Sequence, residues 1–252
     1  MDEVKSRVIQ YFLKNAPTGE HAEVVNELKA IVGADLLENE EIKQTLVDSL
    51  ADQATEVQLG EETALATSLG KEETKFWDPK LAKTFQILDP LDLKGGEVED
   101  AQGLGDLESL QIALDQYLSQ RYSTGSVRVF PDPCRVVLVC NNVNLRNFWS
   151  GSWKSTWEIQ GRELKGTVSI KAHYFEEGNL QLKTAKEVQG TLGSDELAQE
   201  VPKLIAQLED SVHSSMHSLY ERLSSSVFKA MRRTMPVTHT KFADIHRTKM
   251  AA

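Results

Sequence analysis

The sequence predicts an α+β protein: an N-terminal helical subdomain, an antiparallel β meander, a long C-terminal helix across the sheet and a short basic tail. Three observations carry that expectation. Apolar residues recur at helical spacing through roughly the first fifty positions, take strand-like patterns, alternating in part, from about 126 to 191, and return to steps of three and four after Leu197. The 252 residues suffice to bury a sizeable core, and 40% hydrophobic with 26% charged residues is the balance of an ordinary globular chain.

In order, Val4, Val8, Ile9, Phe12 and Leu13 mark a first helix, broken by Asn15-Ala16-Pro17-Thr18-Gly19. Val24, Val25, Leu28, Ile31 and Val32 mark a second, closed by Gly33, and Leu36 to Leu50 a third. The helical subdomain is thus expected over 1–54. A sheet region follows over 55–192. Its first strands are Glu56–Leu59, Thr63–Ser68 and Thr84–Leu88, and the Gly- and acid-rich stretch from Leu93 to Asp106 reads as a loop. An inserted helix near 106–122 carries Leu107, Leu110, Leu114, Tyr117 and Leu118 on one face.

Beyond Ser126, Val127 and Val129 alternate, and Val136–Cys140 is a continuous apolar run suited to a buried strand. Trp149, Trp153 and Trp157 repeat every four residues, but Ser, Thr and Gly fill the gaps, so a strand with a bend at Gly151 is expected. Val168, Ile170, Ala172 and Tyr174 share a face of the next strand. Glu176-Glu177-Gly178-Asn179 is a hairpin turn, and Leu180 and Leu182 open the return strand. Consecutive hairpins imply an antiparallel sheet. A long helix is expected over 193–235, capped by Ser194 or Asp195, with Pro202 either kinking it or displacing its start towards Glu200. Nearly forty residues of helix reach roughly 50–60 Å, which calls for a large sheet beneath or a second chain alongside. Met235-Pro236 ends it, and a basic tail fills 236–252.

Charge narrows the function. The net charge is −10, yet from Lys229 onward six Lys and Arg face one acid, Asp244. That stretch is therefore +5, leaving −15 on residues 1–228. An acidic body is a poor general nucleic-acid binder, whereas a basic tail suits an acidic protein patch, anionic lipid or its own body. Lys229, Arg232 and Arg233 fall on the last turns of the expected helix, at the negative end of its dipole. Beyond Pro236 come His239, Lys241, Phe242 and Ile245. Spacing alone leaves this tail open between a binding element and a frayed terminus with incidental charge.

No catalytic motif is present. Gly103-Leu104-Gly105 lacks the third glycine and the strand of a dinucleotide loop, and neither a P-loop, a Gly-x-Ser-x-Gly nor a His-Glu-x-x-His occurs. His213 and His217, four apart on the long helix, are read as solvated rather than metal-bound. Cys134 and Cys140 are read as reduced thiols packed in a sheet. No metal or cofactor is expected. The lack of a disulfide framework and of an apolar leader points to the cytosol or nucleus. The tryptophan run is read as sheet core rather than as a stacking platform for single-stranded nucleic acid.

Two long motifs are recognisable. Asn147-Phe-Trp-Ser-Gly-Ser-Trp-Lys-Ser-Thr-Trp157, followed by His173-Tyr-Phe-Glu-Glu-Gly-Asn-Leu-Gln-Leu182, resembles the α subunit of the heterodimeric F-actin capping protein. So does Phe228-Lys-Ala-Met-Arg-Arg-Thr-Met-Pro-Val-Thr-His-Thr-Lys241. Asn15-Ala-Pro-Thr-Gly-Glu20 and Phe76-Trp-Asp-Pro79 are shorter echoes in the same order. The resemblance implies a non-enzymatic subunit of an obligate heterodimer with a β subunit, in the cytoplasm and cytoskeleton. Its implied role is calcium-independent binding of actin-filament barbed ends, blocking subunit addition and loss. The implied actin-binding residues are Lys229, Arg232, Arg233, His239, Lys241, Phe242 and Ile245, with anionic phosphoinositides and capping regulators as further partners. His239 stands where the family usually has a basic residue, and the tail is shorter than the family's. The alternative is a diverged, weakly capping subunit serving mainly as a scaffold in an actin or actin-related filament complex.

Overall fold

The computed structural model describes residues 3–176, 179–222 and 225. The chain divides into two compact units, Met1–Ile205 and Ala206–Ala252.

The first unit begins with helices α1 (Glu3–Asn15), α2 (His21–Val32) and α3 (Glu40–Gln53). Ile9 and Leu13 of α1, Val25 and Leu28 of α2, and Ile42, Leu46 and Leu50 of α3 form one core. The expected stripes are only partly used: Val4 is 66% exposed, Phe12 50% and Ile31 79%. The expected third helix is split in two. Residues Ala34–Glu38 form a 3-10 turn, and Asn39 takes an extended backbone, its side chain accepting hydrogen bonds from the Glu41 and Ile42 amides. Asparagine at this position satisfies two orphan donors and starts α3 afresh.

The sheet region resolves into two sheets rather than one meander. The first joins β1 (Thr55–Leu59), β2 (Glu62–Ala66), β3 (Lys71–Glu72), β4 (Lys75–Asp78), β5 (Lys83–Asp89) and β6 (Lys94–Asp100) in the order β2-β1-β6-β5-β4-β3. Its β1–β6 pairing is parallel. Strand β6 occupies the stretch expected as a loop. Its glycines are what allow it: a Cβ on Gly95 would lie 2.4 Å from Leu59 Cδ2, and one on Gly96 2.4 Å from Leu88 Cδ1. Val47 and Ala51 of α3 pack on this sheet against Val57, Phe76 and Phe85. Helix α4 (Glu108–Arg121) then buries Leu110, Leu114 and Leu118.

The second sheet is the expected antiparallel meander. It joins β7 (Ser126–Phe130), β8 (Arg135–Asn144), β9 (Trp149–Gln160), β10 (Glu163–Tyr174) and β11 (Leu180–Thr191) in the order β11-β10-β9-β8-β7. Gln111 of α4 is pinned to β7, donating to the Val127 carbonyl and accepting from the Val129 amide. Strand β9 runs through Gly151 in unbroken register with β8 and β10, so the expected bend is absent. Trp157 is fully buried, its Nε1 donating to Ser155 Oγ, and Gly166 lies across from it where a Cβ would come within 2.3 Å of the indole. That burial supports the core reading for Trp157, whereas Trp149 and Trp153 are only partly buried.

Helix α5 (Leu197–Arg222) passes through Pro202 without ending. Within the first unit, Val201 and Ile205 are buried and Leu204 packs over Gly190 of β11. Apart from Ser225, the remainder of the helix expected to reach 235 lies outside the described residues.

Candidate functional site

The seven residues expected to bind actin, Lys229, Arg232, Arg233, His239, Lys241, Phe242 and Ile245, all lie outside the described residues. The described chain shows what the other motifs do.

Asn15-Ala-Pro-Thr-Gly-Glu20 links α1 to α2. Its Glu20 carboxylate accepts hydrogen bonds from Ser150 Oγ of β9 at 2.8 Å and from His173 Nδ1 of β10 at 2.7 Å. His173 Nε2 faces Asn179 Oδ1 at 3.2 Å, and the ring stacks on Phe175 with centroids 4.9 Å apart. Phe175 in turn meets Phe148 edge-on, and its amide donates to the Phe148 carbonyl. Three motifs separated by up to 153 residues therefore meet at one buried carboxylate. A charge-assisted contact of this kind contributes about 1.5–3 kcal/mol and fixes the helical subdomain on the second sheet.

Beside it, His21 Nε2 lies 3.2 Å from Ser49 Oγ, and Ser49 donates to the Leu13 carbonyl. Gln53 donates to the Ala16 carbonyl, so α3 satisfies the end of α1. Burial, reinforced by the nearby Lys171 ammonium, pushes the His21 pKa down to about 4. The ring is neutral at physiological pH.

Phe76-Trp-Asp-Pro79 has a parallel role. Asp78 is fully buried and accepts from the Leu65, Lys80 and Leu81 amides. Arg128 Nε of β7 lies 2.7 and 2.9 Å from its two oxygens, and the guanidinium also donates to the Val127 and Thr63 carbonyls. One buried ion pair thus joins the two sheets, above a core of Leu65, Phe130, Val137 and Val139. The sequence does not signal the pairing: Asp78 sits in a short motif and Arg128 in none. Asp78 and Arg128 are 50 residues apart, and each alone reads as a surface charge.

The helix leading to the tail is anchored at its start. Arg162, in the turn between β9 and β10, holds Asp195 bidentately at 2.7 and 2.8 Å, which lowers the Asp195 pKa. Asp195 is therefore engaged outside the helix. Ser194 Oγ accepts from the Glu196 amide at 3.3 Å, and the Glu200 carboxylate accepts from the Gly193 amide.

His217 lies 3.4 Å from Glu221, and no cluster of three metal-ligating side chains occurs among the described residues. Cys134 and Cys140 both sit in partly buried positions, and burial raises the Cys134 pKa. No described helix is long and apolar enough to cross a membrane.

A family model described as F-actin capping protein alpha subunit matches residues 9–249, which takes in every expected tail residue. The chain is 28% identical to the F-actin-capping protein subunit alpha of Yarrowia lipolytica, over 91% of this chain and 87% of that one. It is 27% identical to the same subunit of Saccharomyces cerevisiae, over 93% and 90%. Against that of Caenorhabditis elegans it is 28% identical, over 95% and 93%. Among solved structures, a homodimeric actin capping protein alpha subunit from Plasmodium berghei shares the fold. The TM-score is 0.75 at 22% identity, covering 94% of this chain and 99% of that one. A match of this extent, with the shared motifs standing at the joints of the structure, places the chain in the family of F-actin capping protein alpha subunits.

Proposed function

We propose that this chain pairs with a capping-protein β subunit and, as a heterodimer, binds the barbed ends of actin filaments, blocking subunit addition and loss. The observation that carries the reading is the family match across residues 9–249, which includes the basic run from Lys229 to Lys241. Binding at the filament end makes and breaks no bond, so the activity is non-enzymatic and associated with the cytoskeleton. Lys229, Arg232, Arg233 and Lys241 supply cations for an acidic actin surface, His239 a further contact, and Phe242 and Ile245 a small apolar face. Phosphoinositides and protein regulators compete for the same cations.

A partner also suits the second sheet. Strand β11 is twelve residues long, mostly exposed, and stands at the edge of the sheet. An edge of that length offers a row of backbone groups on which a second subunit extends the sheet.

The test is elongation from preformed actin seeds in the presence of this chain co-expressed with a capping-protein β subunit. The expected result is inhibition at concentrations far below that of actin, equal in calcium and in chelator. An intact heterodimer that neither slows elongation nor protects diluted filaments would favour the scaffold reading. The Plasmodium berghei relative is homodimeric, so the mass of the purified complex is measured in the same experiment. A stable homodimer that excludes the β chain would overturn the heterodimer.

A further inference from the structure

Strand alternation puts Ser152, Lys154 and Thr156 of β9 on one face of the second sheet. Pairing sets Lys171, Ser169 and Thr167 of β10 directly across from them. Lys183 of β11 pairs with Lys171 and extends the group. The six β9 and β10 residues, with Asp52 and Gln53 at the end of α3, line a cavity of about 210 Å³.

Its electrostatics are unusual in so acidic a chain. Lys154 Nζ donates to the Asp52 carbonyl at 2.6 Å, at the negative end of α3. Lys183 reaches only the carbonyl and side-chain oxygens of Asn15, at 3.5 and 3.4 Å. Among the described residues no carboxylate is in ion-pair contact with any of the three lysines, and Asp52 acts on Lys154 and Lys171 only at longer range. Burial lowers the pKa of Lys154 and of Lys171. Each is lowered further by a neighbouring cation, Lys171 for the first and Lys183 for the second. A stacked set of half-buried cations is unfavourable for folding alone, and the surrounding hydroxyls are donors suited to an oxyanion.

We propose that this cavity binds a phosphate group, held by the Lys154 and Lys171 ammonium groups with the Ser152, Ser169 and Thr167 hydroxyls around it. The ligand is recognised by its phosphate alone, whether as a soluble phosphate or as part of a lipid headgroup.

The full-length chain in complex with its β subunit is titrated with inorganic phosphate at fixed ionic strength, with heat of binding and unfolding temperature as readouts. Neither depends on actin. Saturable one-to-one binding is expected, with a rise in unfolding temperature that chloride does not reproduce. Lys171→Met should weaken binding at least tenfold, while Lys171→Arg retains most of it and Lys94→Met, on the first sheet, has no effect. In parallel, vesicles of phosphatidylcholine with phosphatidylinositol bisphosphate are sedimented with each protein. Loss of vesicle binding in Lys171→Met would assign a lipid source, and its retention a soluble one. An equal phosphate response in wild type and Lys171→Met would overturn the proposal. So would the absence of saturable binding, as follows if a carboxylate of the β subunit fills the cavity.

Discussion

In residues 1–228 the sequence carries −15, and the buried carboxylates at the joints of the structure each have a partner: Asp78 the Arg128 guanidinium, Glu20 the His173 ring. From Lys229 onward the sequence carries +5, and only Asp244 stands against six cations. The two regions assign charge to different tasks. In the body, an acid and its partner come from distant segments and lock elements together, so removing one leaves an uncompensated buried charge. In the tail, the cations have almost no complement within their own segment, and the proposed function assigns them to a partner. Motif identity alone does not separate these roles, since Glu20, Asp78 and His173 lie inside segments that carry the family resemblance, as most of the tail cations do. Burial does.

The contrast is broken most severely at Asp78. Replacing it with Ala should cost about 3–5 kcal/mol of stability, because Arg128 then stays buried without its carboxylate. Urea unfolding of the heterodimer measures it, and a loss below about 1 kcal/mol would mean the pair does not hold the two sheets. Asp78→Leu combined with Arg128→Met should recover much of the stability lost by Asp78→Ala.

His21 sharpens the comparison through pH. Its folded pKa, about 4, lies below the ordinary 6.5 because the neutral ring is buried. Between pH 6.5 and 4 the unfolded chain takes up a proton that the folded chain refuses. Stability from this group is therefore complete above pH 6.5 and declines as pH falls through that window, by up to about 3 kcal/mol. His21→Phe should lose that component, so its unfolding midpoint should fall less than that of wild type from pH 7 to pH 4.5. Parallel curves would contradict the assignment.

At Glu20 the effect is smaller. Glu20→Gln keeps the shape and one acceptor but removes the charge facing His173, and should cost about 2 kcal/mol. Capping by the folded fraction should be unchanged. A variant of wild-type stability but impaired capping would move Glu20 from the body's role to the tail's.

The sequence was most legible where one period runs uninterrupted. Strand β10 and the inserted helix near Leu110 and Leu114 follow from spacing, whereas β9 was legible only from the Ser, Thr and Gly between tryptophans whose four-residue step mimics a helix. It was least legible where tertiary contact overrides local preference. Gly95 and Gly96 read as loop, yet serve in β6 because close neighbours leave no room for a side chain there. Val4, Phe12 and Ile31 complete helical stripes that the isolated chain leaves exposed. Asn39 restarts a helix within a stripe that looked continuous. The buried pairs were invisible for another reason: a carboxylate 50 or 153 residues from its partner carries no spacing signal. For the tail, spacing gave cations and a small apolar face. The resemblance supplied the ligand.

The central claim, that the tail caps while the body holds the fold, is tested most directly by one variant. Lys229→Glu combined with Arg233→Glu is prepared with the β subunit, and its barbed-end elongation is compared with wild type at matched heterodimer stability. The account predicts a loss of capping of roughly 100-fold or more, about 3 kcal/mol of binding energy, with unfolding unchanged. Capping at the wild-type level by that variant would contradict it and return the actin contact to the body.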